Sequence, residues 1–526
     1  MTVDSEEKPL MSTDNGTSYS TVAAKEEIKE PTYTDAEKCG KVIPTSFAID
    51  LERWKAGLVE GTIPQSFFAA VVIGGLCSIG AYLYYLSLWF LLDYVWHDLP
   101  SVTKFNEIFP EWAWFLWIPI VGFVMASFVG LSVVYLGEPG DLAYVVKCVH
   151  AHGFIHENHM IPMIAASQFS IIGGGSLGPE APLVAICAGI AAIVSRYLLK
   201  TQNINVIRKH TLMGMCAALA AFFGAPLGGS LFALEINSRF GCEYFEHAVE
   251  AMFCGEICLV GFRYLAGLSI DPIWHVGSPL TGASPYDVAQ GMFVGFLGGL
   301  VAMVFRWFHW DVVMAWFGSR GLLDNKKAVT RALIGAVPIM IIGILIPHTL
   351  FWGEYEIQEI LSLAPAKDLN HVWPTTGATG FEMNSCFTSF LVGFGKMIAI
   401  SFTVAAGYRG GFIFPFFLAG SAFGQSLAFL IPMNSQLASL CFAAAINVSI
   451  TRTPLGTTLI LSFLSGEENA VSVIFASSCI ALYLTAYMPF LKSQIPRKDI
   501  DQALVYEYKT VTGDAVASSS NTESHV

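Results

Sequence analysis

Apolar positions gather into long runs, and six of these are predicted to cross a bilayer: 67–92, 115–136, 183–199, 288–305, 332–346 and 472–491. Other apolar stretches, such as 161–172, 411–429 and 437–446, are too short or too often broken by Gly and Pro to be simple spans. Backbone that leaves the helix at membrane depth survives only where protein buries it or where it lines a polar cavity. The interruptions are therefore where function is expected.

They come in pairs. SLGPEAP (176–182) is followed by FFGAPLGGSLFALE (222–235), and YRGGFIFP (408–415) by SITRTPLGTTLILSFL (449–464). Each half thus carries a Gly-rich helix start and then, roughly 45 residues on, a Pro-Leu-Gly helix start. Matching interruptions in two halves point to an internally repeated transporter fold.

Composition fits this reading. Hydrophobic residues make up 54% of the 526 and charged ones 13%, about half the share of a soluble domain, and the mean hydropathy is +0.57. The expected protein is an integral multi-pass membrane protein, in the plasma membrane or an organelle membrane. Residues 1–62 read as a disordered cytosolic tail without a signal peptide, and 492–526 as a short cytosolic tail. Basic residues beside the first and last spans place both ends in the cytosol. A net charge of −13 argues against nucleic acid as a partner. Cys254 and Cys258 stand one helical turn apart like a ligand pair, but nothing nearby completes a metal site, so packing is expected. No cofactor is expected either. Val526 ends a tail that fits a PDZ groove, and WAWFLW (112–117) fits an interfacial aromatic belt.

The first turn of a helix leaves backbone N–H groups without partners and carries about half a positive charge. Glycine lets a ligand approach those groups, and proline suits the first helical position. Gly-Pro and Gly-Gly-Phe starts facing the bilayer centre would hold an anion by partial charges, strongly enough to enter and weakly enough to leave.

These residues resemble the CLC family of voltage-gated chloride channels and chloride/proton antiporters, over about residues 65–490. GGGSLGPEAP (173–182) is similar to that family's G-(K/R)-E-G-P segment and GGFIFP (410–415) to its G-x-F-x-P segment. YLGEPGDL (135–142) looks like a degenerate G-S-G-I-P, and AALAAFFGAPLGGSLFALE (217–235) is the most specific match. The resemblance implies an all-α polytopic membrane domain over 63–491, built as an inverted-topology repeat (about 63–275 and 285–491) of tilted, broken helices. It implies a homodimer in the lipid bilayer with one pathway per subunit. It also implies anion-binding residues Ser176, Leu177, Gly178, Pro179 and Glu180, then Glu138, Pro139 and Gly140, then Gly411, Phe412, Ile413, Phe414 and Pro415. Tyr483 and Tyr487, with Leu491 competing for the same place, are the candidates for the family's pore tyrosine. The 35 residues after Leu491 are too few for the family's paired nucleotide-binding (CBS) modules.

The departures are informative. The family's gating glutamate falls on Leu177, and its second proton glutamate on Ile236, leaving Glu235 on the acidic position beside it. Glu180, three residues beyond Leu177, either complements the dipole of its own helix or acts as a displaced gate that competes with the anion. Glu138 is either a cap or a sensor of protons or anions. Glu235 either supports the fold or relays protons. Arg409 either steers anions into a vestibule or is a solvated loop charge, and Arg452 reads as structural.

Loss of both proton-route glutamates makes passive conduction of chloride or another small monovalent anion the leading expectation. Anion/proton exchange through Glu180, Glu138 or Glu235 is the alternative. An intramembrane protease would need a G-x-S-G serine opposite a membrane histidine. Gly228-Gly229-Ser230 is the nearest approach and has no embedded histidine close to it in sequence, so no enzyme is expected.

Overall fold

The computed structural model describes residues 63–494, apart from residues 138, 141, 239–246, 278, 279, 281, 363–368, 370, 375–377, 489 and 492. Glu138, the tail 1–62 and residues 495–526 with Val526 therefore lie outside the described residues. The main helices of the first half are α1 (Ile63–Asp93), α2 (Trp117–Leu136), α3 (Leu142–Ala151), α4 (Met160–Ile172), α5 (Glu180–Ile193), α6 (Ile204–Phe223), α7 (Pro226–Glu235) and α8 (Ala248–Ala266). Those of the second are α9 (Pro285–Trp307), α10 (Ala328–Leu345), α11 (Glu354–Ser362), α12 (Cys386–Ala405), α13 (Ile413–Leu430), α14 (Ser435–Thr451), α15 (Pro454–Ser465) and α16 (Val471–Leu484). No strand occurs among the described residues, only one isolated antiparallel bridge between Gly178 and Gly411. Among the described residues, eight helical segments are long and apolar enough to cross a membrane. The chain is an all-α, multi-pass integral membrane protein.

Corresponding helices pair alike in the two halves. α5 packs on α6 as α13 does on α14, α1 on α8 as α9 does on α16, and α2 on α4 as α10 does on α12. The halves meet where α2 crosses α10 and α7 crosses α15. Segment 411–429, expected to be too broken for a simple span, falls from residue 413 onward within one continuous 18-residue helix, α13. Its break lies ahead of it, at residues 410–412, and Pro415 falls in the first turn, where a missing N–H costs nothing.

The two Pro-Leu-Gly starts follow from how the preceding helix stops. α6 ends on Gly224 (φ +64°) and α14 on Arg452 (φ +65°), and Pro226 or Pro454 opens a new helix two residues later. A left-handed arginine costs roughly 1–2 kcal/mol. Here the guanidinium offsets it by donating to the carbonyl oxygens of Leu482, Thr485 and Met488 and to Thr485 Oγ1. Arg452 thereby ties the end of α14 to the end of α16, the structural role its position suggests.

Candidate functional site

The N-termini of α5 and α13 meet inside the protein. Gly178 N–H donates to Gly411 O and Gly411 N–H to Gly178 O, both at 2.7 Å. Glu180, the first residue of α5, is 1% exposed. Its Oε1 accepts the N–H of Phe414, in the first turn of α13, at 3.0 Å, while Oε2 has no hydrogen-bond partner. The two glycines are required by this approach, because a Cβ on either would collide with the Glu180 carboxylate. The Phe414 ring is fixed among Phe222, Phe223 and Trp274, with centroids at 5.3, 5.7 and 5.9 Å. Its N–H is thus held in place, and Glu180 caps another helix as well as opening its own.

A cavity of about 920 Å³ leads to this point. Lys147, His150, Arg331 and Arg409 line it, with Gly410, Phe412 and Phe490 on its wall, and no carboxylate appears among the described lining residues. Arg409 therefore belongs to a cationic vestibule. Leu177 packs against Gly410, which puts a buried apolar side chain where the cavity wall meets the paired glycines. Ser176 lies beside it: its N–H donates to Thr403 Oγ1 at 3.2 Å, and its own Oγ is buried without a partner. Pro179 caps α5 and Ile413 is fully buried at the start of α13. Pro139 and Gly140 are buried just ahead of α3, whose Leu142, Tyr144 and Lys147 form part of the cavity wall.

Other candidates lie elsewhere. Glu235 is fully buried, and its two oxygens accept the N–H groups of Leu455 (3.1 Å) and Gly456 (2.7 Å) at the start of α15, a different helix start from the one Glu180 holds. Tyr483 and Tyr487 point away from the vestibule, with 73% and 102% relative exposure. The reason is the tie from Arg452, which turns Leu482 and Thr485 inward and the two tyrosines outward. The aromatic residue that reaches the vestibule is Phe490, 6.3 Å from Phe412 between ring centroids. Leu491, the third competitor, also lines the cavity, without a hydroxyl to offer. Cys254 and Cys258 are buried free thiols, and no group of His, Cys, Asp or Glu among the described residues could hold a metal. Ser230 is buried where α7 meets Gly255 of α8.

Sequence reading missed Lys147 and Arg331 as vestibule residues, although each is a lone cation in an apolar helix, an arrangement that marks ion pathways in membranes. It also missed a second, smaller cavity of about 50 Å³ lined by Trp89, Asp93, His97, Glu354, Glu356 and His371 among others. The two cavities open at opposite ends of α1. Lys209 donates to Ser66 at the start of α1, and its neighbour Arg208 donates to Val149 O beside His150 of the vestibule. From there α1 runs 31 residues, about 46 Å, to Asp93 at the second cavity.

The family model described as "Voltage gated chloride channel" matches residues 143–486. A chloride/fluoride channel protein of Pseudomonas syringae pv. tomato is 26% identical over 403 residues, covering 74% of this chain and 79% of that one. Among solved structures, a CLC-type fluoride/proton antiporter matches with a TM-score of 0.64 at 17% identity, over 82% of this chain and 98% of the other. A slow cyanobacterial Cl−/H+ antiporter matches with a TM-score of 0.63 at 16% identity, over 87% and 99%. A buried bridge between two glycine-opened helix starts, a cationic approach to it and a family match over most of the membrane body agree: this chain belongs to the CLC family of voltage-gated chloride channels and transporters.

Proposed function

We propose that the protein is a CLC-type channel for chloride, fluoride or a similar small anion, and that Glu180 is its gate. One observation carries this reading: the Glu180 carboxylate lies 3.0 Å from the Phe414 N–H, a backbone donor of the kind an anion would use at a helix start. An ionised Glu180 competes with the anion for that donor. A protonated Glu180 is a poorer acceptor and carries no charge, so it yields the donor to the anion. Anion flux then rises as pH falls.

Passive conduction is favoured over exchange because Glu235 has both oxygens engaged by backbone N–H groups and Ile236 cannot carry a proton. The vestibule side thus offers no acid to pass protons on among the described residues. Coupled exchange through Glu180 is the second reading, favoured by Glu354, a titratable group close to Glu180 on the side away from the vestibule. Membership of the CLC family supports a homodimer with one pathway in each subunit.

Purified protein in liposomes tests this. A channel lets chloride or fluoride run down its gradient without driving protons uphill. Glu180→Gln is expected to leave flux high and nearly independent of pH. Sustained uphill proton movement would replace channel with exchanger, and a Glu180→Gln variant that titrates like the parent would remove Glu180 as the gate.

A further inference from the structure

The gate needs a source of protons, and the second cavity has the groups to be one. Glu354 opens α11 on its wall, with Trp352 Nε1–H donating to Glu354 Oε2 at 2.9 Å. Glu356, two residues on, is fully buried. His371 Nε2 lies 2.9 Å from its Oε1, and its Oε2 has no hydrogen-bond partner. The cavity is roomy enough for about one or two waters.

Its position ties it to the gate. Leu418 of α13 packs against Gly353, the residue before Glu354. Leu418 is one helical turn beyond Phe414, the residue whose N–H holds Glu180, and residues four apart share a helix face. Glu354 therefore stands roughly one turn of α13 from the gate, near enough for the charges of Glu354 and Glu180 to oppose each other. Neighbouring tyrosines on α1 lie within electrostatic reach of the two acids, Tyr84 of Glu180 and Tyr85 of Glu354.

The two acids of the cavity differ. Burial works against ionisation of Glu356, but His371, and Lys396 beyond it, hold its carboxyl below the ordinary range. Lys396 is itself anchored by donating to the carbonyls of Thr349, Leu350 and Phe351 at 3.0, 3.2 and 2.7 Å. Burial pushes Glu354 the other way, above the ordinary carboxyl range, against the opposing pull of Trp352 and Arg263. Glu356 remains the fixed charge and Glu354 the group that takes up a proton.

We propose that the cavity around Glu354 is the proton port of the gate, with protons entering from the face opposite the vestibule, residing on Glu354 and passing to Glu180. The Glu354 carboxylate takes a proton from cavity water. The resulting acid gives that proton to the Glu180 carboxylate and returns to its ionised form, and neutral Glu180 lets go of the Phe414 N–H. Asp93, His97 and Tyr355 on the cavity wall, Arg263 near Glu354 and His348 near Glu356 are the other titratable or charged groups facing the route. The proposal rests on Glu180 being the gate.

The test is chloride flux in proteoliposomes over a pH series and after acid jumps, for the parent, Glu180→Gln, Glu354→Gln and Trp352→Phe. Glu354→Gln is expected to slow the response to acid several-fold and to move half-maximal flux to lower pH, since a negative charge that favours protonation of Glu180 is gone. Trp352→Phe removes the donor that favours ionised Glu354, so Glu354 carries its negative charge over a narrower pH range and the profile moves the same way by a smaller step, with the speed of the response kept. Shifts to lower pH in both variants, with the response to acid slowed only in Glu354→Gln, support the port. If Glu180→Gln is insensitive to pH while the other two titrate like the parent, the port is overturned and the gate stands. If Glu180→Gln titrates like the parent, both fall. Should Glu354→Gln fail to fold, Trp352→Phe decides alone.

Discussion

Glu235 and Gly456, 221 residues apart in sequence, are joined at 2.7 Å by a hydrogen bond from the Gly456 N–H to Glu235 Oε2. Oε1 takes the N–H of Leu455, so both oxygens are held by backbone donors, whereas Glu180 keeps one oxygen free. Two buried acids thus cap two helix starts, one rigidly and one with a vacant acceptor. Glu235→Ala leaves two backbone donors without this acceptor, at roughly 1–3 kcal/mol for each one that stays buried and unsatisfied. The expected result is a clearly lower melting temperature in detergent with the acid dependence of anion flux retained. Lost acid dependence at unchanged stability would give Glu235 a part in the proton route.

Gly411→Ala tests the gate without touching an acid. The added Cβ falls on the Glu180 carboxylate and displaces it from the Phe414 N–H, while the backbone pairing with Gly178 uses no side chain and can persist. Anion flux at neutral pH is expected to rise several-fold and its dependence on acid to shrink. The double variant with Glu180→Gln should add nothing, because both changes vacate the same donor. If Gly411→Ala folds and its flux still needs acid like the parent's, the carboxylate is not what blocks the path.

Much of this arrangement was legible in the sequence because it is local. A Pro-Leu-Gly start needs the preceding helix to stop within two residues, and that stop can be read from Gly224 and the Pro that follows. Gly178 and Pro179 likewise announce a helix start that can face an anion. The partner of Glu180 was not legible, since Phe414 lies 234 residues away and only the packing of α5 against the start of α13 chooses it. The pore tyrosines were misplaced for a related reason: which side of the turn after α16 faces inward is set by Arg452, whose reach across 33 residues to Thr485 leaves no local pattern. Glu354 escaped notice because a single acid at a short helix start reads as an ordinary cap until a cavity is seen beside it.

The vestibule offers a test by charge and salt. Lys147 is expected to draw anions towards Gly410 and Phe412 without touching the gate, since it lines the cavity on α3 and the gate lies between α5 and α13. Lys147→Gln should lower chloride flux at low ionic strength, where the Debye length is about 30 Å at 0.01 M, and the deficit should vanish near 1 M, where it is about 3 Å. The pH at half-maximal flux should stay where it is in the parent. A deficit that persists at high salt would mean that Lys147 binds the anion directly. A shifted pH profile would mean that the vestibule field reaches Glu180, and that protons as well as anions respond to the cationic side.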